Sequence, residues 1–265
     1  MAFKLGFIGA GNMGRAIIGG IAVKDGAASL AAYDVNPAAL EAIKKDFGIL
    51  GFSGAEELCA WADILLLAVK PQVVSSALAA LKPFLAGKAL VSIVAGLSVA
   101  RLREQLPEGV RVLRVMPNTP VMVLQGMSAL CDDSDLFFEE RRFVNEVFEG
   151  VGRVAWLPER LMDAVTGVSG SGPAYAYLFI EAMAEAGVRE GLPFALAKEL
   201  AAQTLLGAAQ MVLSSETHPA QLRAFVTSPA GTTAEGVAAL EKGGVRAAVG
   251  EAVRAAAKRS AELGS

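Results

Sequence analysis

The run Ile64-Leu65-Leu66-Leu67-Ala68-Val69 is apolar at every position instead of every second one. A strand of this kind has to be covered on both faces, and sheets buried on both sides are parallel sheets wrapped in helices. The rest of the first 160 residues fits that constraint. Short apolar runs at Lys4–Gly9, Leu30–Asp34, Leu90–Val94 and Val110–Met116 alternate with amphipathic stretches such as Gly14–Val23, Ala38–Phe47 and Gln72–Leu81. Strand, helix and strand in repetition predict a doubly wound α/β sheet. After Ser128–Leu130 and Arg153–Trp156 the texture changes. From Leu161 to Leu263 strand-like runs almost vanish and Ala, the strongest helix former, dominates. The expected division is an α/β domain over residues 1–160 and an all-helical domain over 161–265. Helices this rich in Ala carry few large apolar residues for a core of their own, so burial against a second subunit is expected.

Composition removes several function classes. The 265 residues carry a single histidine, His218, and two distant cysteines, Cys59 and Cys131, so neither a disulfide framework nor a zinc site is expected. A net charge of −3 with both signs interspersed leaves no basic footprint for nucleic acid, and 6% aromatics supply no stacking platform. The uncharged stretch Val115–Cys131 is broken by Pro117 and Pro120. It falls short of the about 20 apolar residues that a membrane-spanning helix needs. Met1 leads directly into a strand pattern with no secretory signal. The expected location is cytoplasmic.

Phe7-Ile8-Gly9-Ala10-Gly11-Asn12-Met13-Gly14 ends the first strand and opens a helix. In a dinucleotide fingerprint Gly9 permits the tight turn, Gly11 lets the backbone approach a pyrophosphate, and Gly14 allows close helix–strand packing. The helix N-terminus adds free N–H groups and a partial positive charge. Asp34 ends the second strand twenty residues after Gly14, where a ribose-binding acid belongs. These features predict a Rossmann-type domain. Asp34 suits the 2′-hydroxyl of NADH and repels a 2′-phosphate, whereas Asn36 offers a donor to a phosphate. The choice between NADH and NADPH stays open, with local chemistry leaning to NADH.

Ala68-Val69-Lys70-Pro71 and Val94-Ala95-Gly96 stand at the carboxyl ends of two further strands, where open α/β sheets bind ligands. Lys70 either lies near the cofactor phosphates or begins a solvated helix. In Met116-Pro117-Asn118-Thr119-Pro120 the prolines hold Asn118 and Thr119 in a fixed loop, whose place at a strand end favours nicotinamide or substrate contact.

Two polar segments mark the helical half. Ser169-Gly170-Ser171-Gly172-Pro173-Ala174-Tyr175 reads as a loop with Ser171 as N-cap and Pro173 in the first helical turn. No Lys or His occurs between Arg160 and Lys198, although related hydroxy-acid dehydrogenases carry a Lys on the helix after such a loop to handle the alcohol proton. In Thr227-Ser228-Pro229-Ala230-Gly231-Thr232-Thr233-Ala234-Glu235, Thr232 and Glu235 have the capping-box spacing, and Ser228-Pro229 is an alternative helix start. Either way, N–H groups around Gly231–Thr233 suit a carboxylate, and ordinary capping explains the residues equally well.

Phe7–Gly14, Ala68–Pro71, Met116–Pro120, Ser169–Tyr175, Ser228–Thr233 and Gly244-Val245-Arg246-Ala247-Ala248-Val249 occur in an order and spacing that resemble the pyrroline-5-carboxylate reductase family, over essentially the whole chain. The resemblance implies reduction of 1-pyrroline-5-carboxylate by NADPH or NADH, the last step of proline synthesis. It implies an N-terminal Rossmann-type sheet and an all-α domain forming a homodimer with interleaved C-terminal helices, assembling further. Cofactor binding is implied for Ile8, Gly9, Ala10, Gly11, Asn12, Met13, Ala68, Val69, Lys70, Pro71, Val94 and Ala95, with Asn36 near the adenosine ribose. The substrate residues implied are Gly231, Thr232 and Thr233, facing the cofactor of the partner subunit, with Thr233 as the catalytic hydroxyl. The sequence departs from the family pattern at Ala230, where a second Gly is usual, and at Asp34, where members favouring NADPH lack an acid. Two rival readings are a hydroxy-acid dehydrogenase, which the missing Lys disfavours, and a non-catalytic nucleotide sensor, which the intact second loop disfavours.

Overall fold

The computed structural model describes residues 3–264. Its framework is an eight-stranded sheet of β1 (Leu5–Ile8), β2 (Leu30–Tyr33), β3 (Leu50–Gly51), β4 (Ile64–Leu67), β5 (Ala89–Ser92), β6 (Arg111–Met116), β7 (Gly126–Cys131) and β8 (Gly152–Leu157). The spatial order is β3-β2-β1-β4-β5-β6-β7-β8. Every pair is parallel except β6 with β7. Helices α1 (Asn12–Asp25), α2 (Pro37–Phe47), α3 (Ala55–Trp61), α4 (Val74–Leu81) and α5 (Val99–Gln105) are crossovers, and α6 (Phe138–Glu149) joins β7 to β8. The four residues of β4 are all buried, as a strand covered on both faces requires. The doubly wound sheet expected from the apolar runs is therefore present. The strands stop one or two residues early because Gly9, Asp34, Ala68–Val69 and Ile93–Val94 leave the ladder for loops. The two-residue β3 has no counterpart among the expected strands.

After β8 the chain is helical: α7 (Met162–Val165), α8 (Gly172–Arg189), α9 (Phe194–Leu213), α10 (Pro219–Phe225), α11 (Thr232–Lys242) and α12 (Val245–Gly264). The expected loop before α8 is absent. Thr166–Gly170 forms a π-helical turn, closed by the Ser171 N–H donating to the Thr166 carbonyl at 2.8 Å, and Ser171 is not an N-cap. Insertions of this kind are rare and recur at functional sites. Gly170 packs under the Met116 methyl, which a Cβ there would push aside.

By packing, residues 3–171 with 254–264 form one compact unit and residues 172–253 a second. The first contains nearly the whole apolar core, from Leu5 and Phe7 to Phe148 and Val151. In the second, α8 and α9 approach through small residues, with the Gly187 Cα facing Ala197, and Tyr175 Oη donates to the Ala252 carbonyl at 3.2 Å. Its buried apolar side chains are alanines, Ala184, Ala197 and Ala201, while Tyr177, Leu178, Leu200, Leu206 and Phe225 are exposed. Among the described residues no helix is long and apolar enough to cross a membrane. His218 is the N-cap of α10, its Nδ1 accepting from the Ala220 N–H at 3.1 Å.

Candidate active site

The strand order reverses at β1, which lies between β2 and β4, and the loops after these strands open a crevice at their carboxyl ends. Register places the loops together: Ile8 is opposite both Tyr33 and Leu67. The Gly9 N–H then donates to the Tyr33 carbonyl and the Ala68 N–H to the Ile8 carbonyl, each at 2.8 Å. Ile8, Gly9, Ala10, Gly11, Asn12 and Met13 thus sit beside Ala68, Val69, Lys70 and Pro71. Val94 and Ala95 follow β5 on the same edge, and Lys70 is exposed at the start of the short Pro71–Val73 helical turn.

The three glycines separate by cause. Gly9 has φ +104°, and a Cβ there would stand 2.7 Å from the Ala68 carbonyl oxygen. A Cβ on Gly14 would stand 2.5 Å from the Gly9 oxygen. Both are required by the protein's own packing. A Cβ on Gly11 would meet nothing within 4 Å. Gly11 is the N-cap of α1 with no side-chain cap, and the Asn12 and Met13 N–H groups have no partner among the described residues. A bare backbone facing open space, with unpaired donors at a helix start, fits a dinucleotide pyrophosphate.

Asp34 and Asn36 form the turn from β2 into α2. The Asp34 carboxylate accepts from the Ala10 N–H at 2.6 Å and from the Asn36 N–H at 2.7 Å. Asn36 caps α2, its Oδ1 accepting from the Ala38 N–H at 3.1 Å. Asn118, in the loop after β6, is buried. Its Oδ1 accepts from the Met127 N–H at 2.8 Å and its Nδ2 donates to the Ser169 carbonyl at 3.1 Å, so both ends of the amide bind protein. Those partners lie 9 and 51 residues away, beyond any local signal, and Thr119, beside Asn118, is exposed.

In the second unit, the Gly231 N–H donates to the Ser228 carbonyl at 3.1 Å, closing a turn with Pro229 and Ala230 at its centre. Ala230 has φ +55°. Proline followed by positive φ is the type II pattern, which favours glycine at the second central place. A Cβ on Gly231 would collide with the Ser228 hydroxyl. Neither expected helix start occurs: α11 begins at Thr232 with Gly231 as N-cap and no side-chain cap, and Ser228-Pro229 belongs to the turn before it. The first N–H groups to find acceptors are those of Ala234 and Glu235, both on the Gly231 carbonyl. Those of Thr232 and Thr233, and the Thr233 hydroxyl, have no partner among the described residues.

This fold, with an open glycine cradle where its strand order reverses, is that of a dinucleotide-binding protein. Residues 4–96 match the family model for NADP oxidoreductase, coenzyme F420-dependent, and residues 159–263 match pyrroline-5-carboxylate reductase dimerisation. Pyrroline-5-carboxylate reductase from Synechocystis sp. is 43% identical over 266 residues, covering 100% of this chain and 99% of the relative. That from Methanosarcina acetivorans is 44% identical, covering 98% of each. Plasmodium falciparum pyrroline carboxylate reductase, solved with NADP bound, superposes with a TM-score of 0.91 at 38% identity, covering 100% of this chain and 99% of that one. The chain belongs to the pyrroline-5-carboxylate reductase family and carries its dimerisation domain.

Proposed function

We propose that this chain reduces 1-pyrroline-5-carboxylate to L-proline with NADPH or NADH, the last step of proline biosynthesis, as a cytoplasmic enzyme. The domain over 1–160 binds the dinucleotide. The helical domain over 161–265 forms a homodimer with interleaved C-terminal helices, and dimers assemble further. The observation that carries the reading is the uncapped start of α11, where the Thr232 and Thr233 N–H groups lack acceptors. A helix start left open in this way suits the carboxylate of a small acid.

The residues of the glycine cradle fit the dinucleotide: the Gly11 backbone and the Asn12 and Met13 N–H groups hold the pyrophosphate, with Ala68–Pro71 and Val94–Ala95 along the same edge. When bound there, the dinucleotide would supply the hydride for the imine carbon. A cyclic imine has a basic nitrogen that can be protonated in solution; reduction of the iminium removes positive charge at nitrogen, and no oxyanion builds up. The protein therefore needs neither an oxyanion hole nor a strong acid. Gly231 and the Thr232 and Thr233 N–H groups hold the substrate carboxylate, and the Thr233 hydroxyl hydrogen-bonds the ring nitrogen. Catalysis comes chiefly from this orientation.

The test is oxidation of NADPH and of NADH by the purified protein with pyrroline-5-carboxylate, with proline measured as product. Stoichiometric proline supports the reading. Dinucleotide binding without turnover would replace it with a sensor, and oxidation of 3-hydroxy acids would replace it with a hydroxy-acid dehydrogenase.

A further inference from the structure

Arg114 is a charge inside an apolar strand. It lies on β6 among Val112, Leu113 and Val115, and it is as buried as they are. A buried guanidinium costs free energy unless it is paired, so its partners show what it holds. They are two carboxylates four residues apart on the helical segment after β8, a spacing that puts both on one face. Nη1 reaches Glu159 Oε1 at 3.3 Å, and Nη2 stands 3.6 Å from Asp163 Oδ1. Each carboxylate passes the constraint to a different end of the loop that follows β5. Glu159 Oε1 accepts from the Val99 N–H at 2.7 Å, at the start of α5. Asp163 Oδ1 accepts from Ser260 Oγ at 2.7 Å, near the end of α12. Gly96 is pressed against that end of α12. It is buried with φ +77°, and a Cβ on it would stand 2.7 Å from the Leu263 Cβ.

Between these two grips the loop has little support of its own. The Ala95, Gly96 and Leu97 N–H groups have no partner among the described residues, and the Val94 N–H reaches only Ser92 Oγ, at 3.3 Å. Leu263 and Gly264 line a cavity of about 220 Å³ together with Pro71, Val94 and Ala95. The end of α12 therefore borders the same edge as the residues assigned to the dinucleotide. A dinucleotide with its pyrophosphate on α1 and its adenosine beside β2 carries its nicotinamide half past the ends of β4 and β5, where this loop stands.

We propose that Arg114 is a positioning residue of the cofactor site: through Glu159 and Asp163 it holds both ends of the loop over residues 94–98, and the loop seats the nicotinamide half of either dinucleotide. This rests on the dinucleotide reading above. A lysine ammonium is a single point charge and does not span two carboxylates as the guanidinium fork does. With the loop slack, the glycine cradle still holds the pyrophosphate, but the reactive ring is misplaced. A displacement of about 1 Å at the reacting atoms is enough to slow transfer severely.

The experiment measures Kd for NADPH and NADH by fluorescence titration of the purified full-length chain, well below its Tm. It adds kcat and the imine KM at saturating dinucleotide. Arg114→Lys is expected to raise both Kd values about five-fold, with their ratio kept within about two-fold. The same variant is expected to lower kcat about ten-fold and to leave the imine KM within about two-fold. Ser260→Ala slackens only the Gly96 end, so Kd and kcat are expected to move the same way by about two- to three-fold. It serves in place of Arg114→Lys should that variant fail to fold. A lower Tm with Kd and kcat as in wild type would overturn the positioning role and leave Arg114 as a structural ion pair. A raised imine KM with unchanged kcat and Kd would overturn it too. Wild-type binding without turnover would defeat the imine reading alone, and the Kd shifts would still test Arg114. A wild-type chain that binds neither dinucleotide would defeat the dinucleotide reading, and the role of Arg114 with it.

Discussion

Ser260 Oγ, near the end of α12, donates a 2.7 Å hydrogen bond to Asp163 Oδ1, 97 residues earlier in the chain. Ser260 is buried, and the same carboxylate oxygen lies 3.6 Å from Nη2 of Arg114, a buried guanidinium whose other nitrogen, Nη1, reaches Glu159 at 3.3 Å. The last turn of α12 is thereby held where Gly264 meets the Gly96 carbonyl, next to the Val94–Ala95 edge; a Cβ on Gly264 would collide with that oxygen. Ser260→Ala is expected to lower stability by about 1–2 kcal/mol, the cost of a buried hydrogen bond to a charged partner. Thermal unfolding reads this as a Tm a few degrees lower. An unchanged Tm would show that the bond adds nothing to the anchorage.

The three glycines of the cradle should separate by phenotype. Gly9→Ala and Gly14→Ala put a methyl against backbone oxygen and are expected to destabilise the fold by about 2 kcal/mol or more. Gly11→Ala meets open space, so its Tm should stay near wild type while Kd for NADPH rises by about ten-fold or more. Titration and melting curves on the same preparations test the contrast. Loss of stability in Gly11→Ala with unaltered affinity would reverse the assignment.

Ala230 carries a left-handed backbone at a turn position suited to glycine. Ala230→Gly is expected to hold or raise stability by up to about 1 kcal/mol, the relieved strain exceeding the added chain entropy. Ala230→Val should cost about 2 kcal/mol, because β-branching is least tolerated there. Tm and KM for the imine should move together across this series, since the turn sets the path into Gly231–Thr233.

Thr233→Ala is expected to lower kcat/KM by roughly one to three orders of magnitude, the range for a positioned hydrogen-bonding group, with the fold intact. Thr233→Ser, which keeps the hydroxyl, should restore most of the loss. Wild-type turnover in the alanine variant would remove the hydroxyl from the reaction.

The Cys59 thiol is buried against the core, and burial pushes its pKa up to about 11 from an ordinary value of 9.0, with Lys88 pulling weakly the other way. The folded state holds this proton more tightly than the unfolded one. The resulting stabilisation is complete below pH 9 and is lost as pH rises through 11, by about 2–3 kcal/mol. Cys59→Ala removes the titrating group. The decline in urea-unfolding stability from pH 9 to 11 should be shallower in that variant by about this amount, and Cys59 in the folded wild type should resist thiol reagents at pH 8.

Much of the fold could be read from the chain because its signals are local. An unbroken apolar run of β-branched and leucine residues fits a strand covered twice, and Gly9 and Gly14 declare a turn and a close approach within six residues of each other. The polar segments were less legible. Ser169–Gly172 has the composition of a loop, yet it is helical, because Asn118 binds the Ser169 carbonyl and Met116 packs against Gly170. The start of α11 offers a capping-box spacing and a Ser-Pro helix start in sequence, and the turn closed by Ser228 and Gly231 overrides both.

The sequence by itself determined the doubly wound sheet, the glycine cradle, the helical second half and the family, since each depends on periodicity or on residues adjacent in the chain. Tertiary structure alone decided what the polar side chains do. Asp34 binds Ala10 from 24 residues away, Asn118 reaches Ser169 across 51, and Ser260 reaches Asp163 across 97. A carboxylate, an amide or a hydroxyl can serve a ligand or the backbone equally well. Which of them it serves depends on which donors and acceptors folding brings within about 3 Å.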